Sequence, residues 1–499
     1  MPSAFSFTQV TKRFGSVCAN DGVSFEVEAG TIHGVVGENG AGKSTILKTL
    51  YGLYRPDSGD IHVRGEKVDF RSPQDALARG IGMVHQHFML VPTLSVWQNV
   101  VLGEEPFAWK PNRAASIAAL KSIQAEFGFS LDLDARVETL PVGLQQQVEI
   151  LKLLYRKADT LIFDEPTAVL TPQEVTLLIE RLRKLKNEGK TIVFISHKLR
   201  EVLTLTEKVT ILRQGKVVGS WQTAELDESS LAEKIVGRKV QPLPARKQSA
   251  ATTPLIEVKN LSLEGPGRPI LQSVSFSLRP GEIVGVAGVD GNGQQELIEI
   301  LAKTREDYAG EVLWEGKPYR AQDCYRLKQS GLAVIAPDRH REAMILDFSL
   351  CENVLLGHHR ETKYGKRRLD WTTVEKSTRA IIERFDVRPA LPQAQARGLS
   401  GGNQQKLVIG RELGEGVKFL LAAHPTRGVD IGAIERIHSE ILRLRDAGAA
   451  VLLFSSELEE ILALSDRVLV IYNGRIQGET PRSQATETQL GLWMTGGAK

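Results

Sequence analysis

Two hydrophobic patterns alternate along this chain. Short continuous apolar runs, such as LIF at 161–163 and VLLF at 451–454, have the length of strands buried on both faces. Segments that alternate apolar and polar residues, FTQVTKRF at 7–14 and LIEVKNLSL at 255–263, read as strands with one buried face. Amphipathic helical stretches separate the apolar strands, and this alternation predicts a parallel α/β core. The stretches at roughly 90–158 and 345–416 are helix-rich and predict a further subdomain in each half. No run of 18 apolar residues occurs, so no membrane span is expected.

The same order of elements is written twice. VSFEVEAGTIHGVVGENGAGKST (23–45) is matched by VSFSLRPGEIVGVAGVDGNGQQE (274–296), which makes Val23 and Val274 counterparts 251 positions apart. LPVGLQQQ from 140 and LSGGNQQK from 399 stand 259 apart, as do FDEPT (163–167) and AAHPT (422–426), and ISH (195–197) and FSS (454–456). The second copy therefore carries eight extra residues between its glycine loop and its LSGG segment. RKVQPLPARKQSAATTP (238–254) reads as a linker. The expected organisation is a first domain at 1–237, the linker at 238–254 and a second domain at 255–499.

Composition narrows the function classes. The 499 residues hold 63 Lys plus Arg against 60 Asp plus Glu, a formal charge of +3. A protein that neutralises nucleic-acid phosphates carries a larger or more segregated basic excess, so no nucleic-acid partner is expected. Cys18, Cys324 and Cys351 form no close-spaced pair and read as reduced thiols. The N-terminal MPSAFSFTQVTKRF lacks the apolar core of a signal peptide. The expectation is a soluble cytoplasmic protein, anchored by a partner if it works at a membrane.

GENGAGKS at 37–44 fits G-x-x-x-x-G-K-[ST], placed after the strand TIHGVV and before the helix TILKTLYG as the motif requires. Gly37, Gly40 and Gly42 let backbone N–H groups wrap a phosphate, and the helix offers its positive N-terminal end to the same anion. Lys43 would reach the β- and γ-phosphates and Ser44 would ligate Mg²⁺. LIFDEP at 161–166 delivers two acids at the carboxyl end of an apolar strand, where α/β folds bind ligands. Asp164 would hold Mg²⁺ through its water shell, and Glu165 would polarise the attacking water. A strand end that merely caps the next helix is the competing reading. Gln86 in MVHQHF and His197 in FISH carry little alone, since a single histidine at a strand end is more often structural.

In order and spacing, GENGAGKST, Gln86, the LSGGNQQ-type segment, LIFDEPT and His197 resemble the ATP-binding domains of ABC proteins, twice over essentially the whole chain. The resemblance implies an α/β fold of two tandem P-loop nucleotide-binding domains, each a RecA-like core with an antiparallel β subdomain and a helical subdomain. It implies ATP and Mg²⁺ as cofactors. Gly37, Asn39, Gly40, Gly42, Lys43, Ser44 and Thr45 form the phosphate loop by that resemblance, and His197 is the γ-phosphate contact. Gln86 becomes the loop glutamine at the metal, linking nucleotide to a transmembrane partner. Phe14 becomes the aromatic that stacks on adenine, against the alternative of an ordinary core phenylalanine.

The second copy keeps Gly288, Gly291 and Gly293 but has Gln294 and Gln295 where Lys43 and Ser44 stand. Ala423, His424, Ser456 and Pro337 replace Asp164, Glu165, His197 and Gln86. His424 is a conceivable general base, but nothing beside it would hold a metal–phosphate group. One lost electrostatic contact commonly costs ~3–4 kcal/mol in a transition state, so that half is not expected to turn over. The signature segments are broken the other way round. Ser400, Gly401 and Gly402 are intact in the second copy, whereas Pro141 in the first removes a hydroxyl and an N–H. TRGVD ends in Asp430, TAVLT in Thr171.

ABC domains pair head to tail, and the resemblance implies the same pairing within this chain. Lys43, Ser44, Asp164, Glu165 and His197 would then share one composite site with Ser400, Gly401, Gly402 and Asp430, and all the losses would fall in the other. Two ATPase domains without a span imply separate permease subunits, two by expectation, and an extracytoplasmic substrate-binding protein. The chain would sit peripherally on the cytoplasmic face of the inner membrane. MVHQHFMLVPTLSVWQNVVLG (83–103), PDRHREAMILDFSLCENVLLG (337–357) and AAHPTRGVDIGAIE (422–435) resemble the nucleoside, basic-membrane-protein branch of the simple-sugar and nucleoside importers. A ribose- or galactose-type importer is the alternative, and a soluble tandem ABC ATPase acting on ribosomes or DNA is the alternative from another class. The basic cluster Lys363–Arg368 reads as a solvated charged face.

Overall fold

The computed structural model describes residues 2–497 apart from 16, 39, 86–87, 105–111, 168–169, 171, 197, 239–252, 268 and 290, and without the side chains of Pro172, Gln173 and Ile431. It divides into two units, Met1–Val240 and Gln241–Lys499. Among the described residues no helix is long and apolar enough to cross a membrane.

In the first unit the central sheet has six strands, in the order Lys216–Gln222, Lys208–Arg213, Ile32–Gly37, Thr191–Ile195, Thr160–Asp164 and Ile81–Val84. All neighbours are parallel except the first pair, which is a hairpin. Ile32–Gly37, Thr160–Asp164 and Thr191–Ile195 are buried along their whole length, as helix-covered parallel strands must be. A four-stranded antiparallel sheet, Val17–Glu28, Ser3–Phe14, Ser58–Val63 and Glu66–Val68 in that order, packs Phe5, Phe7 and Phe25 into a core shared with Ile46, Leu47 and Leu50 of the helix after the glycine loop. The second unit repeats both sheets. Its six strands run Arg475–Pro481, Arg467–Tyr472, Ile283–Ala287, Ala450–Phe454, Phe419–Ala423 and Leu332–Ile335, the same order by counterpart.

Among the described residues three α-helices make the helical part of each unit, Val96–Val101, Arg113–Phe127 and Val142–Tyr155 in the first, and Leu350–Leu355, Trp371–Phe385 and Gly401–Glu412 in the second. One buried asparagine clasps the lead-in to each. Asn99 Oδ1 accepts from Val91 N–H (2.7 Å) while its amide donates to the carbonyls of Val91, Leu94 and Ser95. Asn353 does the same to Ile345, Phe348 and Ser349. The clasps also locate the eight extra residues. Val84 and Ile335 end counterpart strands 251 apart, Asn99 and Asn353 are 254 apart, Phe127 and Phe385 end counterpart helices 258 apart, and Arg136 and Gln395 bridge counterpart serines 259 apart. The insertions are thus three, four and one residue long. The basic cluster is anchored by its tyrosine: Tyr364 is buried, Lys363 pairs with Glu361 at 2.7 Å, and Lys366, Arg367 and Arg368 are exposed.

Asn99→Ala removes four hydrogen bonds and leaves the Val91 N–H without its acceptor, whereas the three carbonyls keep backbone donors, so the first unfolding transition of the full chain should lose about 1–3 kcal/mol. Urea denaturation checks this. A change below about 0.5 kcal/mol would mean that the lead-in finds other partners.

Candidate functional site

The glycine loop joins the buried strand Ile32–Gly37 to the helix Lys43–Leu50 and is pressed against its neighbours. A Cβ on Gly37 would lie 2.1 Å from the Leu212 carbonyl oxygen, and one on Gly42 would lie 2.3 Å from that of Ala19. Both glycines have positive φ, so only glycine satisfies the turn and the contact together. Gly40, in contrast, faces open space. The Lys43 ammonium is buried inside the loop, where it donates to the carbonyls of Gly37 (2.8 Å) and Glu38 (3.0 Å). Burial pushes its pKa below the usual lysine range, against the pull of Glu165, Asp164 and Glu38.

Asp164 ends the strand Thr160–Asp164 beside the loop, and the Ser44 hydroxyl donates to its Oδ1 at 2.9 Å. Burial pushes the Asp164 carboxyl above its usual range, while the Ser44 hydrogen bond, Lys48 and Lys43 pull it down. A hydroxyl and a carboxylate meeting in this way form a hard-oxygen set suited to Mg²⁺. Glu165 follows at φ 51°, a left-handed conformation uncommon outside glycine, fixed by its N–H donating to the Ile195 carbonyl at 3.0 Å. Thr45 lies half-buried in the first helical turn. Phe14 is 44% exposed, which excludes the core reading, and meets Tyr54 edge to face at 5.1 Å with the Lys12 ammonium 5.5 Å from its ring. Asn39, Gln86, Thr171 and His197 lie outside the described residues.

In the second unit the loop is filled by its own side chain. Gln294, in the place of Lys43, donates to the Val289 carbonyl at 3.1 Å and accepts the Asn292 N–H at 3.2 Å. An N–H that could face a phosphate is thereby occupied. Gln295, in the place of Ser44, turns to Glu299. His424 keeps the left-handed seat of Glu165, with φ 47° and its N–H on the Phe454 carbonyl, and its Nδ1 accepts from Ser456 N–H at 3.3 Å. The seat has outlasted the chemistry.

The two signature helices begin differently. Ser400 caps Gly401–Glu412, its hydroxyl accepting from the Asn403 side chain at 2.9 Å, and a Cβ on Gly402 would lie 3.2 Å from the Gly428 carbonyl oxygen. Asp430 caps the helix Ile431–Asp446 through Ala433 N–H (2.7 Å) and pairs with Lys406 at 3.1 Å. Pro141 starts Val142–Tyr155 without a side-chain cap. A Cβ on Gly143 would lie 2.4 Å from Glu174 Oε1, so the helix's own unit supplies a carboxylate at its N-terminal end.

Several positioning residues escape sequence reasoning. Asn20, fully buried, donates to the Gly42 carbonyl at 3.1 Å, and its counterpart is Leu271, which cannot. Gln146 and Gln405 donate from the signature helices to the carbonyls of Pro166 (2.7 Å) and Pro425 (3.1 Å), tying each helix to the acid-strand segment. Buried Glu201 accepts from Thr167 and Ser196, and Glu460 from Thr426, beside the same strand ends. The repeated QQ was a visible signal. Asn20 and the two glutamates offered none, because their partners are remote in sequence.

A parallel sheet, a glycine loop enclosing a lysine and a serine–aspartate pair define a P-loop ATPase fold in the first unit, with a second copy beside it in sequence. Residues 20–168 and 271–427 match the ABC transporter family, together more than half of the chain. The chain is 43% identical to the glucose import ATP-binding protein of Haloferax volcanii, over 98% of this chain and 95% of that one. It is 41% identical to the guanosine import ATP-binding protein of Bacillus subtilis, over 99% and 98% respectively. A likeness in fold extends to the archaeal ribosome recycling factor in complex with a ribosomal stalk protein, with TM-score 0.62 and 18% identity over 95% of this chain and 90% of that one. The chain belongs to the ABC transporter family, as an ATPase of the import ATP-binding type with two fused ABC domains.

Asp164→Asn can keep the Ser44 hydrogen bond while removing a buried charge. Hydrolysis should fall at least about 100-fold, with a thermal midpoint no lower than that of the parent chain. A lowered midpoint would make the residue a structural cap.

Proposed function

We propose that this chain energises nucleoside import, docked peripherally on the cytoplasmic face of a membrane against two permease subunits that receive substrate from an extracytoplasmic binding protein. The observation that carries the energising role is the segregation of intact and damaged groups. Lys43, Ser44, Asp164 and Glu165 are intact in the first unit, and Ser400, Gly402 and Asp430 in the second. In a head-to-tail pair they form one competent composite site, completed by Asn39, Gln86 and His197. Gln294, filling its own loop, and Glu174, beside the damaged signature helix, belong to the other.

Glu165 takes a proton from water as the water oxygen attacks the γ-phosphorus. The bond from that phosphorus to the β–γ bridging oxygen breaks, and ADP leaves with the electron pair. Lys43 and the loop N–H groups neutralise charge on the phosphates, while Ser400 and Gly402 cover the γ-phosphate. Ser44, Asp164 and Gln86 would hold Mg²⁺, which supplies Lewis-acid charge neutralisation when bound. Phe14 stacks on the adenine.

A groove of about 880 Å³ in the first unit supports the permease reading. Tyr51, Leu77 and Arg79 of the core and Gly103, Glu104 and Arg156 of the helical part line it, so a helix seated there would touch both. Nucleosides are favoured by the guanosine relative and by the nucleoside import ATP-binding protein of Lactococcus lactis, 41% identical over 98% of this chain and 97% of that one. The Haloferax relative supports a monosaccharide as the second reading.

Ser400→Ala should lower ATP turnover of the full chain at least about tenfold, and Pro141→Ser should leave it within about twofold. The reverse pattern would overturn the pairing. With the permease present, uptake of labelled nucleosides should depend on Glu165. Uptake of pentoses or hexoses instead would replace the substrate class while leaving the ATPase reading intact.

A further inference from the structure

The three-residue insertion before the Asn353 clasp falls in a segment with an unusual backbone conformation. Residues Arg339–Ala343 form a single π-helical turn, a rare conformation that recurs at functional positions. Asp338 caps it by accepting from the N–H groups of His340 (3.0 Å) and Arg341 (3.2 Å). The turn aims Arg339 at the intact signature segment. A Cβ on Gly401 would lie 2.5 Å from Arg339 Nη2, and one on Gly428 would lie 3.9 Å from Nη1.

The guanidinium is held there from behind. Arg339 Nε donates to Gln404 Oε1 at 3.4 Å, and His340 Nε2 meets the same oxygen at 2.7 Å. The Gln404 amide is fixed in turn on the Ala396 carbonyl at 3.1 Å. Burial and the nearby charge of Arg427 both lower the Arg339 pKa, against Asp338. Like charges thus gather at the start of the signature helix. The first unit has the opposite sign at the corresponding place, the Glu174 carboxylate beside Gly143.

We propose that Arg339 is a further catalytic residue of ATP hydrolysis, contacting the γ-phosphate beside Ser400 and Gly402. This rests on the head-to-tail reading above. An arginine fork matches two phosphate oxygens and stabilises the charge they carry as the γ-phosphoryl group transfers. His340 and Gln404 act as positioning residues that keep the fork against Gly401.

The test uses the full chain and two readouts. Arg339→Ala should lower kcat about 30-fold, and Arg339→Lys, which restores the charge without the fork, should recover only a minor part of that loss. In a Glu165→Gln background, where hydrolysis is blocked, Arg339→Ala should weaken ATP binding about tenfold and leave ADP binding within twofold. ADP lacks the group Arg339 would touch. Equal weakening of ATP and ADP would make Arg339 a structural support and overturn the proposal. So would unchanged turnover in Arg339→Ala when Ser400→Ala is crippled, with the pairing left standing. Turnover insensitive to both substitutions would remove the pairing and this role together.

Discussion

Everything in the first unit's site depends on holding charge out of water with only partial compensation from opposite charges inside the site. Lys43 is buried within a ring of backbone, Asp164 is buried at the end of a strand, and each is displaced from its ordinary pKa by that burial. Their short-range partners are neutral: two carbonyls for the ammonium, one hydroxyl for the carboxylate. Such an arrangement is expensive in a resting protein and makes sense where a polyanion and a divalent cation complete it. The parallel sheet makes it tolerable. Strands buried on both faces fix the loop and the acid at carboxyl ends on the same edge of the sheet, with Thr191–Ile195 between them, and the glycines let the backbone close over the lysine.

The second unit shows what remains once that requirement is relaxed. Sheet order, asparagine clasp and left-handed seat are all retained, so they belong to the fold. Lysine, serine and glutamate are replaced by groups that satisfy themselves: Gln294 takes up an N–H of its own loop, Gln295 turns to Glu299, and His424 accepts from Ser456. Leu271 in place of Asn20 extends the same change to the loop's support. Charge has moved from the loop to the signature segment, where Arg339 and Arg427 gather.

Much of this was legible in the sequence. Local patterns revealed the doubling, the apolar strands, the glycine loop and the acid pair, because each is a contiguous string whose chemistry dictates its spacing. Contacts between remote segments were not legible. Glu174 lies 31 positions from Gly143, and Arg339 lies 62 from Gly401, so no spacing rule links them. The count of eight extra residues was right, but only the clasps and helix ends divide it into three, four and one. The exposure of Phe14 was likewise invisible in a string that alternates as FTQVTKRF does.

The central claim is that two copies of an ATPase domain make one working ATPase. Counting trapped nucleotide tests it most directly. The full chain is allowed to turn over ATP in the presence of Mg²⁺ and orthovanadate, and ADP retained per chain is measured after free nucleotide is removed. One ADP per chain is expected, with a photoreactive analogue labelling the segment that contains Lys43. Two per chain, or label on the loop that contains Gln294, would contradict the account.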